Sequence, residues 1–466
     1  MITKREFLKV GTACLGGMAL HPSLSLGAET ADDTLLPLPT RAQMSWQDCE
    51  IGLVYHFDLS IAAGNFAGNN THRERFDPKR YNPKKLDTDQ WIEAAKACGA
   101  KYAVFTATHF NGFMQWQSDL YPYGVKQATW RNGKGDVVGD FVASCRKAGI
   151  RPGIYFSTHR NVYQTVWGHY VDWGKGRKTE KQKAYNQIAE AQLTELCSRY
   201  GELVQIWYDA GTKLPHEDGP NSLPIFEKYQ PNSVFYHSSR RSDVRWVGNE
   251  HGHVPYPCWA TMPKGKDGSV GHNHTDWKPN LSQGVADGSV WAPGMADVPL
   301  RNHNWFWKPG QDNKVWSLQE LMKKYYGSVG HNCNLLLGEV VTSEGLVPDH
   351  DINRLAEFGK EIQRRFGKSI AETSGTGDSI ELKLPTPQRI NHMIAMEDIA
   401  EGERVREYTL EGRMPGGEWQ PLCSGECIGH KRIQTFTDVD VAAVRLKISK
   451  ARAKPHLRRL AVFNVT

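Results

Sequence analysis

The sequence predicts a (β/α)8-type barrel, TIM-like but imperfect, followed by a C-terminal β-sandwich of the discoidin or jelly-roll kind. Three observations predict it. Apolar strand-like runs alternate with amphipathic helical patterns about every fifty residues, which is the pattern of a parallel sheet. Each of the first four runs ends in polar residues, and after a helix that stops at Gly367 the apolar period changes from 3.6 to 2. The division expected from this is an export segment over residues 1–28, a barrel over 29–369 and a sandwich over 370–466.

Composition bounds the function. The 466 residues are 39% hydrophobic and 23% charged, which excludes a disordered chain. Fifty-seven Lys and Arg stand against 51 Asp and Glu, a formal charge of +6 without a basic block, so no nucleic-acid partner is expected. No run of 18 apolar residues occurs, so no membrane span is expected in the mature protein. Lys4, Arg5 and Lys9 precede an apolar stretch over residues 10–20, with small residues near Ser25 and Gly27. The pattern resembles a twin-arginine signal with Lys in place of its first Arg, and predicts a periplasmic or extracellular protein. An ordinary secretory signal or an uncleaved anchor stays open.

The strand candidates in order are 51–57, 101–107, 151–157 and 203–209, with shorter ones at 233–237 and 245–247 and a final buried strand at Leu335-Leu336-Leu337. Asp87 or Thr88 opens a helix carrying Trp91, Ile92, Ala95 and Cys98 on one side; Asp136 opens a second with Phe141, Val142 and Cys145. A third carries Tyr185, Ile188, Leu193 and Leu196 at helical spacing, and later helices are expected over 317–326 and 351–366. In parallel α/β sheets the polar residues at strand C-terminal ends face the ligand. Here those ends read His56-Phe57-Asp58, Thr108-His109-Phe110-Asn111, Ser157-Thr158-His159-Arg160 and Tyr208-Asp209.

Trp207-Tyr208-Asp209 places a carboxylate at the end of a buried strand beside two aromatics, the surfaces that stack on sugar rings. Glu250, in Arg245-Trp246-Val247-Gly248-Asn249-Glu250, is the second carboxylate candidate. A glycosidase needs such a pair, one ionised to attack or stabilise the anomeric carbon and one protonated to release the leaving oxygen. Arg245 is read as a holder of a substrate hydroxyl or of a neighbouring carboxylate. The 18 histidines include the i, i+2 pairs His251/His253 and His272/His274, but no zinc spacing accompanies them, and neither metal nor organic cofactor is expected. Of the cysteines, Cys423 and Cys427 alone lie close in sequence; a bridge between them and free buried thiols are both open.

Several segments, in order, resemble the family 29 glycoside hydrolases, the α-L-fucosidases. They are Gly99 to Tyr102, Thr106 to Phe113, Gly153 to Ser157 followed by Arg160-Asn161, Ile206 to Gly211, Arg245 to Glu250, and Ser328 to Asn332 before Leu335. The segment Arg245 to Glu250 and the stretch Trp291 to Trp307 are most similar to the branch acting on α-1,3 and α-1,4 linked fucose. The resemblance implies a retaining double displacement on terminal α-L-fucosyl groups of an oligosaccharide or polysaccharide. It implies Asp209 as nucleophile, Glu250 as acid/base, and His56, His109, Tyr155 and Arg245 as substrate contacts.

The chain departs from that pattern. Thr108-His109-Phe110-Asn111 stands where relatives have Lys-His-His-Asp, His159 where they have Trp-Asp, and Met295 where they often carry a glutamate. The expectation drawn is a loss of polar contacts in the sugar pocket. Alternatives left open are another or sulfated sugar, for which Lys213, Arg240 and Arg241 would supply charge, and a glycan-binding protein without turnover. The sandwich is read as a brace for the barrel, with carbohydrate binding through Trp419 and His430-Lys431-Arg432 as its alternative.

Overall fold

The computed structural model describes residues 36–66 and 74–466; the export segment expected over 1–28 lies outside the described residues. Among them, eight strands form the barrel sheet: β1 (Ile51–His56), β2 (Tyr102–Thr108), β3 (Arg151–Phe156), β4 (Gln205–Tyr208), β5 (Val234–Tyr236), β6 (Arg245–Trp246), β7 (Gly294–Pro299) and β8 (Cys333–Val340). They pair in parallel in the order β5-β4-β3-β2-β1-β8-β7-β6, which is chain order wrapped round a barrel with a single unpaired seam between β5 and β6. Asp243 bridges that seam. Its N–H donates to the Phe235 carbonyl at 3.0 Å and its carboxylate accepts the Phe235 N–H at 2.8 Å.

The strands are buried on both faces because helices cover the outside and side chains fill the inside. A short helix, α1 (Arg41–Gln47), closes the mouth at the strand N-terminal ends. Its Trp46 is fully buried among Val54, Tyr102, Val104, Leu336 and Met295, and its indole N–H donates to Gln205 Oε1 at 3.1 Å. Gly52 makes room for this packing, since a Cβ there would stand 2.2 Å from the Tyr102 ring.

The outer helices are α2 (Thr88–Ala97), α3 (Val137–Lys147), α4 (Glu180–Arg199), α5 (Ser222–Tyr229), α6 (Leu318–Gly327) and α7 (Asp349–Phe366). Asp87, Asp136, Thr179 and Ser317 each accept a backbone N–H at a helix start, so the expected polar starts of α2 and α3 act as N-caps. Of the barrel elements just named, three escaped the sequence reading: α1, α5 and β7. Strand β7 reads Gly-Met-Ala-Asp-Val-Pro, without the β-branched run that marks a strand, and it exists because its neighbours β6 and β8 supply both hydrogen-bonded edges. Helix α7 starts two residues earlier than expected. Asp351 then lies inside its first turn, fully buried and bound in a fork by Arg301 at 2.6 and 2.8 Å.

After α7 the chain forms a six-stranded antiparallel sheet from β9 (Ala371–Thr376), β10 (Ser379–Glu397), β11 (Val405–Arg413), β12 (Trp419–Gly425), β13 (Arg432–Ala451) and β14 (His456–Phe463). Strands β10 and β13 are 19 and 20 residues long and shift register midway. Their two halves pair with different partners: β10 residues 392–397 pair with β14, while β13 residues 443–451 pair with β11. This sheet, with its register shifts, encloses one core containing Ile380, Leu382, Leu410, Met393 and Leu460.

This unit braces the barrel. Glu403 accepts the Ala260 N–H at 3.0 Å, His430 reaches Asp48 at 2.8 Å, Lys431 pairs with Glu50, and Arg432 lies over the Tyr256 ring at 3.9 Å. The alternative of a carbohydrate site at residues 430–432 is therefore corrected: these side chains are buried against the barrel. Trp419 is covered by Arg445 at 4.2 Å. The eight cysteines in the described residues are all free thiols, Cys423 and Cys427 included, which decides against a bridge between them.

Trp46→Ala removes the plug of the lower mouth. We expect about 3–5 kcal/mol of lost stability in denaturant unfolding, with a native-like fold retained at low temperature.

Candidate active site

The strand C-terminal ends converge on a cavity of about 80 Å³. His56 ends β1, His109 follows β2, Tyr155 lies in β3, and Trp207 and Asp209 lie at the end of β4. The opposite wall comes from Glu250, on the loop after β6, from Asp297 in β7, and from Trp305 and Phe306 on the loop after it. Five of the six site residues expected from sequence therefore share one cavity.

Arg245 does not, which corrects its expected contact with substrate. It is fully buried, donating to the Leu281 carbonyl at 2.9 Å, the Ala292 carbonyl at 2.6 Å and Cys258 Sγ at 3.2 Å. It ties together loops on the far side of β6. The sequence pattern could not separate a guanidinium that binds a ligand from one that binds carbonyl groups.

Asp209 is held by Tyr155, whose O–H donates to its Oδ2 at 2.7 Å. Burial pushes the Asp209 carboxyl up; the Tyr155 hydrogen bond opposes that shift, and the nearby Glu250 adds to it. Glu250 is exposed to solvent on one side, and its Oε2 accepts the Trp305 indole N–H at 2.9 Å. Trp305 has its seat because of Gly338 in β8, where a Cβ would stand 2.3 Å from the indole ring. Burial holds His56 down at about 3 and drives His109 well below the ordinary histidine value, so both rings are neutral near pH 7. A neutral imidazole offers one donor and one acceptor, which suits a sugar hydroxyl. The rings of His56, His109, Trp305 and Phe306 pack at 4.9 to 5.9 Å and set the cavity's shape.

Sequence reasoning missed Asp297, Trp305 and Phe306 as individual residues. Asp297 obeys the same rule as the others, a polar residue near a strand C-terminal end, but its strand had not been recognised. It is buried, and its Oδ1 accepts the Trp246 indole N–H at 2.7 Å. The departures at other positions are now explained locally. Asn111 donates to Asp58 Oδ2 at 2.9 Å and accepts the Phe113 N–H at 2.8 Å, holding the turn after β2 rather than lining the cavity. Phe110 lies 4.4 Å from the His109 ring and 4.9 Å from the Arg160 guanidinium. Met295 faces the barrel interior, where its sulfur meets Gln205 Nε2 at 3.7 Å. Lys213 and Arg241 are committed to Glu217 and Asp243, and Arg240 to the Asp267 carbonyl, so the charges suggested for an anionic sugar are engaged. Among the described residues, no group of three His, Cys, Asp or Glu side chains is gathered as a metal site.

Comparison with known proteins matches residues 43–365 to the family model for alpha-L-fucosidase. Alpha-L-fucosidase 1 of Arabidopsis thaliana is 30% identical over 92% of this chain and 88% of its own length. A candidate alpha-L-fucosidase of solved structure from Bacteroides thetaiotaomicron is 43% identical with a TM-score of 0.88, covering 92% of this chain and all of that one. A Ruminococcus gnavus fucosidase of glycoside hydrolase family 29, solved with fucose bound, shares the fold at 21% identity and a TM-score of 0.79, covering 95% of this chain and 97% of that one.

Tyr155→Phe removes the donor to Asp209. On an aryl α-L-fucoside, kcat is expected to fall about a hundredfold. The acid limb of the pH profile moves to higher pH, because the lost hydrogen bond was holding the Asp209 carboxyl down. A profile with an unmoved acid limb contradicts this role for Tyr155.

Proposed function

From the premise that this chain belongs to the alpha-L-fucosidase family of glycoside hydrolases, we propose that it cleaves terminal α-L-fucosyl groups with retention of configuration, Asp209 acting as nucleophile and Glu250 as acid/base. The observation that carries the proposal is the pairing of two differently held carboxyls on one cavity. Asp209 lies in the floor, gripped by a phenol; Glu250 lies at the solvent edge, gripped by an indole.

In the first step an Asp209 carboxylate oxygen bonds to C1 of the fucosyl unit while the C1–O bond to the leaving group breaks. The leaving oxygen takes the proton of Glu250. The product is a fucosyl ester on Asp209. In the second step Glu250 accepts a proton from water, the water oxygen bonds to C1, and the Asp209 ester bond breaks. The position of Asp209 in the cavity wall, held by Tyr155 and beside Trp207, supports direct attack. The neutral His56 and His109 bind hydroxyls in both steps without taking part in proton transfer to the leaving group.

The preferred linkages in this reading are α-1,3 and α-1,4, which rests on the segment Arg245 to Glu250 and its neighbour Trp291 to Trp307. The substrate is a neutral fucosylated glycan met outside the cytoplasm, which rests on the basic and apolar pattern of residues 1–28.

The test is sugar release by the mature protein from an aryl α-L-fucoside and from α-1,2, α-1,3, α-1,4 and α-1,6 fucosylated oligosaccharides, with NMR of the first anomer formed. We expect the α-anomer first and the α-1,3 and α-1,4 substrates fastest. Asp209→Ala should lower kcat by at least about a thousandfold on every substrate. Glu250→Ala should lose far more on oligosaccharides than on an activated aryl fucoside, whose leaving group departs without a proton. First formation of the β-anomer, or a folded Asp209→Ala enzyme of undiminished activity, refutes the proposal.

A further inference from the structure

Asp297 is the third acid of the cavity, and the two-carboxyl mechanism gives it no part. It is 3% exposed, it lines the cavity shared with Asp209 and Glu250, and among the described residues no cation pairs with it. Its Oδ1 accepts the Trp246 indole N–H at 2.7 Å, and its own backbone N–H also reaches the carboxyl. A buried acid on a cavity wall beside two other carboxyls, with no cation to balance it, is costly to keep charged.

We propose that Asp297 touches the sugar directly, donating a hydrogen bond from its second oxygen to one ring hydroxyl, and so helps to select the glycosyl group. This rests on the fucosidase reading of the cavity. The carboxyl is placed to act as a neutral donor by its surroundings. Burial raises it well above the ordinary carboxylate range, the Glu250 and Asp209 carboxyls press in the same direction, and the Trp246 indole N–H and the residue's own backbone N–H oppose them without prevailing. The remaining ionisable groups of the wall are His56 and His109, both neutral, and Tyr155, whose phenol is driven well up. None of them supplies a charge that would hold Asp297 ionised. A protonated carboxyl has a donor on one oxygen and keeps an acceptor for Trp246 on the other, so both partners are satisfied at once.

The alternative is that Asp297 merely anchors Trp246, and substrate analogues separate the two. The measurement is kcat/KM for 4-nitrophenyl α-L-fucopyranoside and its 2-deoxy, 3-deoxy and 4-deoxy analogues with the wild type, Asp297→Asn and Asp297→Ala. The asparagine amide keeps an acceptor for Trp246 and a donor for the sugar, so activity on the parent fucoside should stay within about fivefold of wild type. Alanine should lose about a hundredfold on the parent and should no longer discriminate against one of the three deoxy analogues, while the penalties for the other two persist. A folded alanine variant that loses the same factor on the parent and on all three analogues overturns the proposal in favour of an anchoring role. An asparagine variant that falls as far as alanine overturns the donor role, and decides the matter even where alanine fails to fold. Failure of the fucosidase reading is seen separately, in a wild type inert towards the parent fucoside.

Discussion

Closure of a parallel barrel forces every strand to end on the same rim, and the rest of this molecule depends on that constraint. Strands distant in sequence deliver their terminal side chains to one small cavity: His56 from β1, Tyr155 from β3, Asp209 from β4 and Asp297 from β7. The opposite rim carries no such burden and is sealed by α1 with the buried Trp46. The seam between β5 and β6 is the weak point of the closure, and Asp243 spans it with two hydrogen bonds to Phe235. The C-terminal sheet holds both Asp48 and Glu50, just before β1, and the loop around Tyr256 to Ala260 that follows the Glu250 segment.

Within the cavity, burial and hydrogen bonding assign different tasks to chemically similar groups. Asp209 receives a phenolic hydrogen bond that favours its ionised form, Glu250 keeps contact with water and with an indole donor, and Asp297 is buried among like charges. In the proposed mechanism, groups of one kind are thereby separated into a nucleophile, a proton carrier and a hydroxyl ligand. The histidines undergo the reverse treatment: burial strips them of charge and leaves them as hydrogen-bonding groups.

The alternation of strands and helices was legible because β1 to β4 are continuous apolar runs and α2 to α4 have capped, periodic faces. The polar strand ends were legible for the same reason, and with them His56, His109 and Asp209. Legibility fell between residues 210 and 310, where β5 and β6 were read as short runs but tertiary pairing rather than local preference makes β7, and where long loops carry Trp305 and Phe306. Glu250 was reached through its motif alone. Arg245, in the same motif, shows the limit of that route: a conspicuous cation beside the acid proved to be bound to two carbonyls and a thiol. The missing polar residues after β2 were visible in sequence, but only the structure shows that Asn111 serves the turn through Asp58.

The central claim is that Asp209 forms a covalent bond to the sugar. It is tested most directly by inactivating the protein with 2-deoxy-2-fluoro-α-L-fucosyl fluoride, whose C2 fluorine slows both steps while the departing anomeric fluoride speeds the first, so that the ester accumulates, and mapping the adduct by peptide mass spectrometry. The account predicts a single fluorofucosyl group on the peptide containing Trp207-Tyr208-Asp209, localised to Asp209. An adduct on Glu250 or Asp297, or free turnover with no covalent intermediate and an inverted product, would contradict it.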